Sequence, residues 1–110
     1  MTEAPIYSRR FSTRIELRER VCVYWTCAGT EGLSPIRNLS TGGLFLETDR
    51  YRGVGAVAKL DFLVPEGQIR VEAVIKRVEA GRGLGMKFTA IREEDRLRLA
   101  EFIKRHRHSV

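Results

Sequence analysis

Arg37-Asn38-Leu39-Ser40-Thr41-Gly42-Gly43-Leu44-Phe45-Leu46-Glu47 is the stretch from which the fold can be read. A short polar segment ending in two glycines separates two apolar runs. Glycine takes positive φ without penalty, so the segment predicts a sharp turn between two strands. Asn38 and Ser40 stand two apart and share one strand face. Their short side chains bring donors and acceptors to that face, beside an open backbone. Such a surface suits a flat polar ligand, although Asn-x-Ser-x-Gly-Gly by itself is also ordinary turn chemistry.

The pattern repeats on both sides. Upstream, Leu17, Glu19, Val21, Val23 and Trp25 fall on one side of a long first strand beginning at Leu17. Gly29-Thr30-Glu31-Gly32 turns the chain into a second run, Leu33 to Leu39, where Pro35 predicts an edge or a bulge. Downstream, Leu44 to Thr48 is a third strand and residues 49–55 a loop. Val57 to Val64 alternates, with Leu60, Phe62 and Val64 inward and Lys59 and Asp61 outward. After the turn at Pro65-Glu66-Gly67-Gln68, Ile69, Val71, Ala73 and Ile75 share a side. Val78 breaks that parity, which predicts a bulge near Lys76 or Arg77. Leu84, Met86 and Phe88 mark the sixth strand. Six short strands joined by glycine turns predict a small antiparallel barrel.

From Arg92 the period changes. Leu99, Phe102 and Ile103 form one apolar helical face, with Glu93, Glu94 and Asp95 at the dipole's positive end and Lys104, Arg105 and Arg107 at its negative end. Leu97 falls off that face and is left for a barrel rim or a partner. The fold class is therefore all-β with a C-terminal helix.

A chain of 110 residues supports one domain with a modest core. No run approaches the ~20 apolar residues of a membrane span. Met1-Thr2-Glu3-Ala4-Pro5 lacks the basic start and apolar block of a secretory signal, so a cytoplasmic location is expected. Cys22 and Cys27, five apart on a strand, face opposite sides and cannot bridge; both read as small buried residues. With so few ligands nearby, no metal site is expected. His106 and His108 read as exposed, solvated side chains rather than ligands, and Trp25 and Tyr24 as core and rim. The formal charge of +6 is concentrated in Arg9, Arg10 and Arg14 and in Lys104, Arg105 and Arg107, which predicts an anionic partner. There is no Ser-His-acid set, no paired acidic site and no Walker-type phosphate loop, so no catalysis is expected.

Arg9-Arg10-Phe11-Ser12-Thr13-Arg14 then narrows the choice. Arg10 and Arg14 in Arg-x-x-x-Arg spacing, followed by Asn38, Ser40 and Gly43 in Asn-x-Ser-x-x-Gly, resemble the PilZ domain, a bacterial receptor for cyclic di-GMP. Further similar segments fall in the expected order: Gly42 to Thr48, Leu60-Asp61-Phe62 ahead of Pro65-Glu66-Gly67, Gly83 to Phe88, and Glu93-Glu94-Asp95-Arg96. The resemblance covers residues 9 to 103.

It implies a six-stranded PilZ-like barrel with cyclic di-GMP as its ligand and no cofactor. Residues 1–8 would form a loose tail, 9–16 the arginine segment, 17–91 the barrel and 92–107 the helix. The implied ligand residues are Arg9, Arg10, Arg14, Asn38, Ser40, Gly42 and Gly43. An arginine fork matches the O6/N7 edge of guanine and can also stack on a purine face. The segment would be mobile when free and close over the ligand, in one copy or as a stacked dimer, and the changed surface would signal to a downstream protein. Two alternatives stand beside this reading: a small basic barrel for single-stranded nucleic acid, and a ligand-independent interaction adaptor. The apparent core parity of the aromatics counts against the first.

Overall fold

The computed structural model describes residues 14–17, 19–50 and 53–107. Its elements are β1 (Ile15–Glu16), β2 (Cys22–Cys27), β3 (Thr30–Leu39), β4 (Gly43–Glu47), β5 (Val57–Val64), β6 (Gly67–Glu79), β7 (Gly83–Ile91) and α1 (Glu93–Arg107). The strand order is β1-β3-β2-β5-β6-β7-β4, and β4 returns to pair with β3. Strands β2 to β7 thereby close into a six-stranded antiparallel barrel, with β1 added to β3 beyond the end of β2.

The predicted long first strand is broken. Only Ile15–Glu16 and Cys22–Cys27 pair, against Leu39–Asn38 and Pro35–Thr30 of β3. The inward parity still holds, since Val21, Val23 and Trp25 are buried and Leu17 packs against the core. The turn into β3 also comes earlier than Gly29-Thr30-Glu31-Gly32. It is the two-residue loop Ala28-Gly29, with φ of 51° and 81°. Two positive φ values match the right-handed twist of a tight hairpin. Gly32 instead makes room for Trp25, whose ring would lie 2.6 Å from a methyl group at that position.

Leu60, Phe62 and Val64 from β5 and Ile69, Val71, Ala73 and Ile75 from β6 are buried as their alternation predicts. Trp25 fills the core at 1% exposure, its indole N–H donating to Ser34 Oγ at 3.0 Å, so burying it leaves no donor unsatisfied. Pro35 lies where its missing donor is harmless. Ile36 N donates to Val21 O, so position 35 faces the other edge, where the β4 ladder begins only at Ile36.

Among the described residues three bulges interrupt the ladders. One inserts Arg37 into β3 opposite β4. The expected one inserts Lys76 into β6 between Ile75 and Arg77, and another inserts Thr89 into β7 opposite Glu72 and Ala73.

Leu99, Phe102 and Ile103 of α1 are buried against the barrel, and Leu97 is 52% exposed. Arg98 donates to Gln68 O at 3.2 Å and pairs with buried Asp95, fixing the helix to the start of β6. Arg105 is bound to Glu66 at 2.6 Å and lies 3.7 Å from Glu19, so the C-terminal charge cluster is partly neutralised.

Two side-chain expectations are overturned. Cys22 is exposed, because its parity is that of outward-facing Tyr24; Cys27 is buried. His106 is buried, because it follows Phe102 by one helical turn and packs on that ring at 4.3 Å between centroids. His108 lies outside the described residues. Among the described residues no helix is long and apolar enough to cross a membrane.

Candidate functional site

Strand β3 ends at Leu39, and residues 40–42 carry the chain into β4. Ser40 holds this bend together. Its amide donates to Gly43 O at 2.9 Å, and its buried Oγ accepts from Gly42 N at 3.1 Å. The hydroxyl thus binds its own turn, a local bond that serine forms readily. Phe88 N donates to Gly42 O at 2.8 Å, tying the bend to β7.

Neither Gly42 nor Gly43 is among the positive-φ residues, so left-handed backbone is not what this turn asks of glycine. Gly43 is needed for space. A methyl group there would stand 2.2 Å from Met86 O on the neighbouring strand.

Asn38 is half-buried near the end of β3, where it pairs with Glu16 on one side and Phe45 on the other. Arg14 immediately precedes β1, and its Nη1 donates to Asn38 Oδ1 at 2.6 Å. The two sequence motifs therefore meet through one charge-assisted bond from an exposed guanidinium to a strand-held amide. Arg9 and Arg10 lie outside the described residues.

Beside this contact an open groove of about 940 Å³ runs over the outer surface of β6 and β7. Arg14 and the Ser40–Gly42 bend form one side, and Lys76, Arg77, Lys87 and Thr89 contribute to the rest. The groove lining carries four cations and no acid. Sequence reading missed the cations of β6 and β7, a Lys76-Arg77 pair and a single Lys87, each set between apolar residues. Only the bulge expected near Lys76 or Arg77 pointed toward them.

Arg77, which lines the groove, lies over Gly85 and beside the Phe45 ring of β4. Gly85 is buried beneath Arg77, whose Cβ lies 3.5 Å from where a methyl group would be. Phe45 points to the outer side of β4 yet is 3% exposed, covered by Arg37 at 5.0 Å and Arg77 at 6.0 Å from the ring centroid. Arg77 also pairs with Glu79 at 3.0 Å, so its head is held in place.

The profile of the PilZ domain matches residues 8–105. The chain belongs to the PilZ family. No curated protein matches it. Among solved structures this PilZ chain resembles the PilZ domain of CeSA from a cellulose-synthesizing bacterium, at 18% identity and a TM-score of 0.69, covering 88% of this chain and 100% of that one. The Bacillus subtilis inhibitor of motility MotI is similar at 20% identity and a TM-score of 0.75, over 89% of this chain and 51% of that one. The PilZ domain of YcgR from Escherichia coli, solved with c-di-GMP, is similar at 18% identity and a TM-score of 0.71, over 90% and 92%. The PilZ chain thus spans all of one relative and about half of another. At these identities the likeness is one of fold.

Proposed function

We propose that this PilZ domain is a cyclic di-GMP receptor that acts without catalysis. The observation that carries the reading is the 2.6 Å bond from Arg14 to Asn38, which holds that one arginine on the polar strand end beside a basic groove. Family membership supports it, as does the YcgR PilZ domain solved with that ligand. Arg10 and Arg14 supply forks for guanine edges or phosphates. Asn38 offers Oδ1 to the N1/N2 edge of guanine and Ser40 holds the bend. Gly42 keeps the backbone of the bend accessible to the ligand, and Gly43 lets β4 close on β7 behind it. Charge-assisted bonds contribute roughly 1.5–3 kcal/mol each, so two or three arginine contacts supply much of a micromolar affinity of about −8 kcal/mol.

Ligand entry exchanges the Arg14–Asn38 bond for bonds to the nucleotide and reorders the arginine segment. The altered surface then meets a downstream protein in the cytoplasm. Arg9, adjacent to Arg10, would face the outer side of the ligand and reach the phosphates of a second, stacked molecule.

Calorimetric titration with cyclic di-GMP, set beside GTP and single-stranded DNA, tests the receptor reading. Cyclic di-GMP alone should bind the parent. Arg14→Ala should lose most of that binding while its unfolding free energy stays within about 0.5 kcal/mol of the parent. Tighter binding of DNA than of cyclic di-GMP, or an Arg14→Ala variant that binds like the parent, would refute it. For Arg9, saturation near two equivalents in the parent and near one in Arg9→Ala is expected. A parent that saturates at one equivalent removes that role. Amide exchange over residues 9–14 should slow with ligand; equal protection in both states excludes closure of the segment.

A further inference from the structure

We infer that Lys76 and Lys87 form a phosphate subsite on the barrel wall, built by a β-bulge and separate from the arginine segment. The inference rests on reading the groove as the dinucleotide site, and it assigns a second, rigid half to the charge recognition.

Three observations carry it. The first is direction. In a regular strand, consecutive side chains alternate between core and solvent. The extra residue at Lys76 breaks that alternation, since Ile75 pairs with Met86 and Arg77 with Gly85. Ile75 stays buried while Lys76 and Arg77 are both exposed, so two successive cations line the groove where a regular strand would present one. Lys87, opposite Val74 on β7, lines the same groove and is exposed.

The second observation is charge. Fourteen acidic residues are spread over the chain, yet none lines this groove. Arg77 has its own partner in Glu79, whereas neither Lys76 nor Lys87 is in an ion pair among the described residues. Elsewhere exposed arginines are commonly matched, as Arg70 is with Asp61, Arg92 with Glu94 and Arg96 with Glu93. Two unmatched ammonium groups in a groove without acids raise the local potential and favour an anion. Lysine is a compact point charge with three rotatable donors, suited to phosphate oxygens rather than to a planar base edge.

The third is support. Both lysines stand on paired strands, and the bend carrying Gly42 is bonded to the same β7 through Phe88. The wall is therefore set before any ligand arrives, so ordering it subtracts little from affinity.

The test is titration of the full chain with cyclic di-GMP at low and high salt. The variants are Lys76→Gln, Lys87→Gln, the double variant, and Lys76→Arg with Lys87→Arg. Each glutamine change should weaken binding roughly ten-fold, as expected for loss of one charge-assisted contact. The double variant should also flatten the salt dependence, and the arginine variants should retain both affinity and salt dependence. Thermal midpoints should stay unchanged, because both side chains are exposed. If the parent binds and the double glutamine variant matches it in affinity and salt dependence, the subsite is wrong and the receptor reading stands. Arginine variants that bind as poorly as the glutamine ones overturn it as well, since charge would then not be what matters. A parent that fails to bind cyclic di-GMP overturns the receptor reading and this inference with it.

Discussion

A methyl group placed on Gly43 would lie 2.2 Å from the carbonyl oxygen of Met86, across the ladder joining β4 to β7. The obstacle is backbone, so it cannot move aside as a flexible side chain would. Gly43→Ala should therefore destabilise the barrel by about 3 kcal/mol, at the upper end for overpacking. Gly53→Ala, with open space around the position, should leave stability nearly unchanged. Denaturant midpoints decide it, and equal midpoints for the two variants would show that the ladder can shift to admit the methyl group.

The hairpin loop between β2 and β3 offers the opposite sign. Ala28 holds φ at 51°, in a region that an L-residue with a Cβ enters at a cost. Asparagine tolerates that region better and is favoured at the first position of such turns. Ala28→Asn should raise unfolding free energy by about 0.5–1 kcal/mol, read as a higher denaturant midpoint at unchanged slope. A lower midpoint would mean that Ala28 contributes something other than its backbone angle.

Acid should loosen the helix. The hydrogen bond from Arg105 holds the Glu66 carboxyl below the usual glutamate value, outweighing the opposing effect of partial burial. A carboxyl whose folded value is depressed stabilises the fold above its unfolded value, and that stabilisation fades as pH falls through the folded value. Glu66→Gln should therefore lower the thermal midpoint near neutral pH and shrink the drop seen on acidification. Arg105 is 42% exposed on its side chain, so solvent screening keeps the effect small. Parallel acid profiles for parent and variant would place the acid sensitivity elsewhere.

Asn38→Asp tests the strand-held half of the site. The change turns the bond from Arg14 into an ion pair and presents two acceptor oxygens to the guanine edge. Affinity for cyclic di-GMP should hold or rise. Complete loss would show that residue 38 meets an acceptor such as phosphate.

The sequence was most readable where one face of a strand is buried and the other wet. Leu60, Phe62 and Val64, then Ile69, Val71, Ala73 and Ile75, follow strict alternation and are all buried. The break between Glu16 and Cys22 was hidden because Leu17 and Val21 keep the inward parity, each with a single backbone bond to β3 (Leu17 N to Arg37 O, Ile36 N to Val21 O) and outside any strand. Parity reports burial, and it is silent about pairing. His106 and Cys22 went wrong for related reasons. A polar-looking helix end conceals a ring packed one turn after Phe102, and a small apolar residue can face outward beside Tyr24. Arg14, Asn38 and Ser40 were visible through their spacing. Lys76 and Lys87 were not, because they converge only after a bulge reorients one strand and the barrel curves both into one groove.

The closing ladder joins residues 43–47 to 83–87, which lie far apart in the chain, while most other ladders join strands adjacent in sequence. During synthesis β4 leaves the ribosome with β3 available on one edge and nothing yet made for the other. Until β7 follows, Leu44 and Leu46, fully buried in the finished barrel, remain uncovered on a strand with an open edge. Closing so long a loop is also entropically slow, so the final ladder should set the folding rate. Pulse-labelled amide exchange should find β5 and β6 protected first and β4 last. The glycines that let the ladder close, Gly43 and Gly83, would then govern how long the nascent chain stays exposed to misassociation.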